Sequence, residues 1–333
     1  MKAVLQPALA HQTYQLQPGV TGITMDVPLF RHFLLLIPIA LTFCCGSSFG
    51  ETLKRLPQGT RRVLIICGHP GDDEHHTLFA ETVSRLHRGL ISTLGLEAEQ
   101  IDLQFGDNSR PADPEIILKA SGHATRDEIT ANVAKLQAIV QPDDSMWVIV
   151  MGHAHFDGRH SYLNLPGPDL RDDEFAKLFA DVNCREQVYF ITCPVSGYFI
   201  KPLAGKHRII MTATEADLEL NETECPHALA DILSNPPPHA EFDVDQDGEL
   251  TLFDLYIVMA RRVMGRYEKE KTIATEHGLI EDNGDGRGTD VQIDYLTEEQ
   301  GGRTKPRGAF KKAIRDGELS RKSILKIMLP AKE

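Results

Sequence analysis

Two apolar stretches decide the fold of this chain: Val148-Ile149-Val150-Met151-Gly152-His153 and Val188-Tyr189-Phe190-Ile191-Thr192-Cys193. Each has the length and the uniformly apolar character of a strand that is buried on both faces of a sheet. Each also ends on a reactive side chain, an imidazole in the first stretch and a thiol in the second. If the two strands are parallel neighbours, these side chains meet at one edge of the sheet, as the chemistry of a cysteine hydrolase requires.

Strand and helix signals alternate along the chain from Arg61 onward. Further strands are predicted at 63–67, 101–105 and 208–212, and helices at 78–94, 125–140 and 172–180. Apolar strands separated by helices favour a mostly parallel sheet that is covered on both faces. The predicted fold class is therefore α/β, a three-layer α/β/α domain, with its reactive side chains at the carboxyl edge of the sheet.

The composition is that of an acidic globular protein. The 333 residues are 41% hydrophobic and 25% charged, and the formal net charge is −13. This charge disfavours a phosphate backbone, so no nucleic-acid partner is expected and peptides or small molecules remain. The tail at 296–333 is locally basic but poor in aromatic residues, which favours a solvated segment or an arm packed on the acidic body.

The amino end has the pattern of an export signal. Arg31 and His32 precede an apolar run at 33–45 that is shorter than the roughly 20 residues needed to span a bilayer. Residues 1–50 are therefore predicted to be an N-terminal extension with a signal peptide that is cleaved near Gly50. The expected location is periplasmic or extracellular. The alternative is an uncleaved anchor, and this segment would then be the chain's sole membrane contact.

A calcium-binding loop is predicted after the proline-rich exit at 234–238. That exit separates a domain at 59–235 from a helical extension at 236–295. The spacing of oxygen-bearing side chains from Asp243 to Asp254, with Gly248 at position 6, is typical of an EF-hand loop. The predicted Ca²⁺ ligands are Asp243, Asp245, Asp247, Glu249 and Asp254. The alternative is an Asp-rich turn without metal.

A second stretch, Glu281-Asp282-Asn283-Gly284-Asp285-Gly286, repeats the first half of this pattern. Counted from Glu281, its position 12 is Gln292, which has no carboxylate. The sequence therefore does not favour a metal there.

The region from about 61 to 233 resembles the caspase and legumain clan of cysteine peptidases. Members of this clan carry a His-Gly pair after one strand and a Cys after the next. The likeness rests on Gly152-His153-Ala154, Ile191-Thr192-Cys193, Ser196-Gly197 and the strand and loop at 209–214. It implies a caspase-like domain that acts as an endopeptidase on proteins or peptides.

The resemblance also implies roles for particular residues. Cys193 would be the nucleophile, His153 the general acid, and backbone amides near Gly152 and Cys193 the oxyanion hole. Glu215 and Asp217, on the loop after the strand at 208–212, would line the substrate pocket. Their charge would favour Arg or Lys before the scissile bond.

The spacing between Cys193 and Ser196-Gly197 supports a function without catalysis. Legumain-like members read Cys-x-Ser-Gly, whereas this chain reads Cys193-Pro194-Val195-Ser196-Gly197, which is one residue longer. Aligned on Ser-Gly, the nucleophile position is occupied by Pro194, and a shift of one residue along a strand reverses the face of the side chain. The alternative function is a catalytically degenerate, calcium-stabilised relative that binds a peptide or a partner protein.

Two histidine-containing segments suggest zinc as a further alternative. The stretch at 68–74 resembles the His-Pro-Asp-Asp-Glu signature of zinc-dependent N-deacetylases, interrupted by Gly71. Without metal, Asp72 and Asp73 in that stretch would begin the following helix. The residues His153, His155, Asp157 and His160 could form a second cluster, although nothing in a loop of this length fixes their geometry.

Overall fold

The computed structural model describes residues 59–106, 122–303 and 316–328. The predicted signal peptide at 1–50 lies outside these residues. The strands are β1 Arg61–Cys67, β2 Ile101–Phe105, β3 Ser145–Met151, β4 Ala154–Phe156, β5 Ser161–Leu163, β6 Leu170–Arg171, β7 Glu186–Ile191, β8 Arg208–Thr212 and β9 Ile280–Glu281. The α-helices are α1 Asp73–Ser92, α2 Arg126–Ile139, α3 Asp172–Leu178, α4 Ile200–Leu203, α5 Cys225–Ser234, α6 His239–Phe242 and α7 Leu252–Glu270.

The main sheet has the strand order β2-β1-β3-β7-β8-β9. All of its neighbouring strands are parallel except β9, which runs antiparallel to β8. The two stretches that end on His153 and Cys193 form β3 and β7, which are adjacent and pair Val150 with Ile191. The predicted mostly parallel α/β fold is confirmed.

Helices cover both faces of this sheet. Trp147 and Ile149 of β3 join the apolar cluster that contains α1, α5 and α7. Val148 and Val150 join the opposite cluster, which contains α2, α3 and α4. This alternation follows from the two-residue period of a strand, and it makes the strand interior apolar on both sides. None of the helices in the described ranges combines the length and the apolar character needed to cross a bilayer.

The predicted extension shares the core of the main sheet. Phe253, Tyr256 and Ile257 of α7 are fully buried in the same cluster as Phe190 of β7. β9 adds an edge to the main sheet. Only the single turn α6 lies between the triple proline and the calcium-loop sequence. The helix after this loop thus packs back on the main sheet.

A second, antiparallel sheet of β4, β5 and β6 lies just after β3. The sequence pattern predicts a loop where β4, the first strand of this sheet, lies. Strands of two or three residues are too short to show a period of alternation, so no local pattern indicated them.

Position 152 requires a glycine, because the chain that leaves β3 passes close to the chain that leaves β1 there. Its φ is 126°, and a Cβ there would lie 3.0 Å from the nitrogen of Gly68. We expect Gly152→Ala to lower the free energy of unfolding by about 1–3 kcal/mol for the backbone strain, with a further loss from the contact. Denaturant unfolding measures it. Gly158→Ala is the control, since Gly158 has a φ of 97° but open space around it. An equal loss in the two variants would contradict the crowding at Gly152.

Candidate functional site

The candidate site lies at the carboxyl edge of the main sheet, where β1, β3, β7 and β8 end next to one another. The connections that leave these strands carry His69, His153, Cys193 and the acidic loop at 213–223. Open parallel sheets form their sites at this edge because the hydrogen-bonded ladder ends there and the loops diverge.

His153 is a half-buried side chain with a defined orientation. Its Nε2 lies 2.9 Å from the carbonyl oxygen of Pro70, and its ring packs against Phe79 at 5.2 Å between centroids. A carbonyl oxygen only accepts hydrogen bonds, so Nε2 carries the proton in this arrangement and Nδ1 of the neutral ring is the acceptor. Pro70 is therefore a positioning residue that the sequence did not reveal, because it lies 83 positions from His153.

His75 forms a second imidazole at the same edge. Its ring centroid lies 4.7 Å from that of His153, its Nδ1 is 2.8 Å from Asp72 and its Nε2 is 3.1 Å from Glu222. The hydrogen bond to Asp72 and the charges of both carboxylates raise the pKa of His75. Sequence analysis missed His75, since its partner Glu222 lies 147 positions away.

The stretch at 68–74 begins a helix. Asp72 is the N-cap of α1, and its Oδ1 accepts a hydrogen bond from the backbone nitrogen of His75 at 2.9 Å. Asp73 and Glu74 form the first turn, where negative charge is favourable. The helix-start interpretation of this stretch is confirmed.

Cys193 lies in the core. Its side chain is fully buried in the apolar cluster with Ile191 and Phe199, whereas the Phe79 that contacts His153 belongs to the cluster on the other face. Burial raises the pKa of the Cys193 thiol to about 12. Among the described residues, none of the hydrogen bonds or ring contacts given for His153 is to Cys193, and the pairing of the two as a catalytic dyad stays a prediction.

The ladder between β3 and β7 pairs Val150 with Ile191, and the nitrogen of Thr192 donates to the carbonyl of Val150 at 2.8 Å. The strands end at Met151 and Ile191. If the same register and alternation of faces continued past these ends, His153 would stand against Pro194 and Cys193 would point to the other face.

The turn after Pro194 is strained and firmly held. Val195 has a φ of 47°, a left-handed conformation that is costly for a β-branched residue. The nitrogen of Ser196 donates to the Thr214 hydroxyl at 2.8 Å, and the Ser196 hydroxyl accepts from the nitrogen of Thr214 at 3.0 Å. A Cβ on Gly197 would lie 2.2 Å from the nitrogen of Ala216. The loops after β7 and β8 therefore pack tightly against each other. Together they form one wall of the candidate site, made of residues 194–197 and 213–223.

The predicted pocket residues lie on this wall. Glu215 and Asp217 are exposed, and the same loop exposes Leu218 and Leu220 by 63% and 54%. Farther along it, Glu222 reaches His75. The loop thus presents negative charge and apolar side chains at the surface, and one of its carboxylates contacts His75. A role for Glu215 and Asp217 in substrate choice stays a prediction.

The loop at 243–254 brings three of its predicted ligands close together. Oxygens of Asp243, Asp245 and Asp247 lie within 4.8 Å of one another. Gly248 has a φ of 88°, and its nitrogen donates to Asp243 at 3.0 Å. Oδ1 of both Asp243 and Asp245 is buried without a hydrogen-bond partner. This oxygen-only donor set fits a calcium ion, whose charge would neutralise the cluster.

The other two predicted ligands lie outside that group of three. The Asp254 carboxylate accepts hydrogen bonds from the nitrogens of Val244 and Thr251, each at 2.9 Å. The nitrogen of Glu249 donates to Asp247 at 2.9 Å. Their roles as ligands stay predictions.

Part of the basic tail packs against the calcium-loop sequence. The Arg321 guanidinium lies 3.0 Å from Asp245 and stacks on the ring of Phe253. The backbone of Leu325 donates to Leu250 at 2.7 Å. The interpretation of the tail as a packing arm is thus confirmed for 316–328, while 304–315 lie outside the described residues.

The four residues of the second suggested zinc cluster have separate partners. His153 contacts the Pro70 carbonyl, and His155 contacts Asn164. Asp157 accepts from the backbone at 159–160, and His160 contacts Asp172. The distances within these pairs are 2.7–2.9 Å. In the described part of the chain the structure does not gather His153, His155, Asp157 and His160 around one point.

Comparison with known proteins finds a likeness only to solved structures. No family model matches the chain, and no curated protein matches it. Among solved structures, the crystal structure of the Drosophila initiator caspase Dronc matches with a TM-score of 0.43 and 11% identity. The match covers 73% of this chain and 89% of that one. At that identity and score, the likeness assigns no residue and no reaction to this chain.

The pKa of His75 tests the contacts described at the carboxyl edge of the sheet. Its raised pKa means that its stabilising interactions are fully present below its ordinary value of about 6.5 and are lost as pH rises through the folded-state value. We expect NMR titration to give a pKa above 6.5 and Asp72→Asn to lower it. His155→Gln is the control and should leave it unchanged. An unshifted His75 in the unmutated chain would contradict the contacts described.

Proposed function

We propose that this chain is an exported, caspase-like domain that binds a protein or peptide segment at the carboxyl edge of its sheet without hydrolysing it, and that calcium stabilises it. The observation that carries the proposal is the full burial of Cys193 in the apolar cluster with Ile191 and Phe199. The register of β3 and β7, continued past the strand ends, would set Pro194 against His153 instead. A proline side chain has no nucleophile. The proposal of export rests on the sequence at 31–50 alone.

The state of the thiol supports the same proposal. A nucleophilic cysteine acts as its thiolate, and a group with a pKa of about 12 is ionised in only about one molecule in 10⁵ at pH 7. Cys193 is also fully buried, so a substrate carbonyl has no path to its sulfur. Both the protonation and the position of Cys193 disfavour attack.

The acidic wall supports binding of a segment with basic and apolar side chains. Glu215 and Asp217 supply charge that steers a basic partner, and Leu218 and Leu220 supply apolar area for contact. The same loop contacts Val195 through the Glu219 carbonyl and His75 through Glu222, which supports the proposal that it lines the bound segment.

The endopeptidase remains the second candidate because His153 has the orientation of a catalytic imidazole. Its protonated Nε2 is held by Pro70, as a general acid–base residue requires. For that function, Cys193 would have to leave the core and turn to the other face of β7. The Cys193–His153 dyad stays a prediction.

The two candidate functions predict a reactive thiol at different positions of the chain. In the double variant Cys193→Ala with Pro194→Cys, we expect iodoacetamide to modify the introduced thiol at least about ten times faster than it modifies Cys193 in the unmutated chain, because the continued register would set the imidazole against position 194. Adding His153→Ala should slow this reaction. Mass mapping measures both rates, with the half-buried Cys184 as the internal reference.

A peptide-library assay on the unmutated chain decides the reaction itself. We expect no cleavage. Cleavage that disappears in Cys193→Ala would overturn the proposal and establish the endopeptidase. Modification of Cys193 faster than Cys184 in the unmutated chain would have the same effect.

Calcium should stabilise the fold through the loop at 243–254. The carboxylates of Asp243, Asp245 and Asp247 repel one another, and a bound cation offsets that repulsion at the start of α7. At about 100 times its dissociation constant, calcium should add about 2.7 kcal/mol to the free energy of unfolding. Thermal melting in calcium and in chelator measures this. Asp243→Asn with Asp247→Asn should remove that part of the shift, and Glu241→Gln, outside the loop, should keep it. Equal melting of the unmutated chain in both conditions would exclude a stabilising ion.

A further inference from the structure

The stretch at 281–292 has the backbone of the first acidic loop. Gly284 and Gly286, at positions 4 and 6, have φ values of 81° and 75°. The corresponding residues of the first loop, Gln246 and Gly248, have φ values of 59° and 88°. The two segments therefore turn in the same way at the same two positions.

The hydrogen bonds inside the two loops also correspond. In the second loop the nitrogen of Gly286 donates to the position 1 carboxylate of Glu281 at 3.3 Å, as Gly248 donates to Asp243 in the first. The nitrogen at position 7, Arg287, donates to Asp285 at position 5 at 2.8 Å. The first loop has the same bond from Glu249 to Asp247.

Position 12 of the second loop is filled from a distant part of the chain. Gln292, which holds that position in sequence, is buried and turns to the Tyr256 hydroxyl and the Gly278 carbonyl. Asp316 takes its place: it accepts from the nitrogen of Asp282 at 3.1 Å and from the Thr289 hydroxyl at 2.8 Å.

Those two donors stand at positions 2 and 9 of the second loop. In the first loop, the residues at positions 2 and 9 are Val244 and Thr251. They donate to Asp254 at 2.9 Å and 2.6 Å. Asp316 therefore has the contacts of a position 12 carboxylate although it lies outside the loop sequence.

A buried and unsatisfied carboxylate oxygen points to a ligand independently of this correspondence. Glu281 is fully buried. Its Oε1 binds the nitrogens of Gly284 and Gly286 inside the loop, and its Oε2 has no hydrogen-bond partner. Asp316 is only 5% exposed. In the described ranges, neither carboxylate has a Lys or Arg partner.

A buried carboxylate without a compensating partner is costly, and a cation bound at Glu281 and Asp316 would supply the compensating charge.

We propose that Glu281, Asn283, Asp285 and Asp316 form a second calcium site, whose last carboxylate comes from the segment at 316–328. The donors are all oxygen atoms, three carboxylates and one side-chain amide, as a hard divalent cation requires. The EF-hand pattern, with its backbone carbonyl at position 7, favours the larger coordination number of calcium over that of magnesium. The ion would tie the segment at 316–328 to β9 at the edge of the main sheet.

The test is the number of calcium ions that the full chain binds. Equilibrium dialysis with radioactive calcium should give two ions per chain for the unmutated protein. Glu281→Gln and Asp316→Asn should each bind one. Asp243→Asn with Asp247→Asn should also bind one, and combining it with Glu281→Gln should leave none. Asp290→Asn, a neighbouring carboxylate paired with Arg303, is the matched control and should bind two.

Thermal melting shows whether a loss of binding comes from unfolding. In chelator, Glu281→Gln should melt at the temperature of the unmutated chain or above it, because it removes a buried charge. In calcium, it should lose part of the upward shift. A count that stays the same in both Glu281→Gln and Asp316→Asn would overturn the second site. A count that falls only in these two variants, and not in Asp243→Asn with Asp247→Asn, would support it while excluding the first.

Discussion

The hydrogen-bonded register between β3 and β7 is the constraint on which the candidate site depends. Both strands are buried on both faces, so each residue must point into one apolar layer or the other. The pairing of Val150 with Ile191 sets the register with which the two strands reach the edge of the sheet. Because the side-chain period of a strand is two, a difference of one position separates a thiol in the cleft from a thiol in the core.

The site is completed by loops that the sheet brings together. The ladder ends at the carboxyl edge, and contacts between distant segments determine the geometry beyond it. Pro70 orients His153, Glu222 holds His75, and Thr214 supports Ser196 in the strained turn after Pro194. The strain at Val195 persists because these contacts over-determine the backbone there.

The acidic extension is coupled to the same core. α7 begins at the first acidic loop and buries Phe253 and Tyr256 against the main sheet, while the second loop begins in β9, at the edge of that sheet. The segment at 316–328 contacts both loops, through Arg321 at Asp245 and through Asp316 at Asp282. Both acidic loops are therefore joined to the elements that form the core of the main sheet.

The sequence by itself determined the features that depend on local pattern. Apolar runs of strand length and helices at their own period predicted the α/β order and the mostly parallel sheet, whereas the adjacency of the strands that end near His153 and Cys193 was set by the sheet order. The spacing of Asp243, Asp245 and Asp247 predicted the acidic loop, since its turn residues and side chains lie within one short segment.

Only the tertiary structure decided which side chains meet. Neither the Pro70 carbonyl nor the Glu222 carboxylate belongs to a motif with its histidine, and Asp316 follows its partner Asp282 by 34 positions. A local pattern fixes the period of a strand and the shape of a turn, but not the direction in which a strand's last residue points or the loop that returns to it. Those are set by the register of the sheet and by the crossing of chains at its edge, which is why Cys193 lies buried in the core although the sequence places it at the end of a strand.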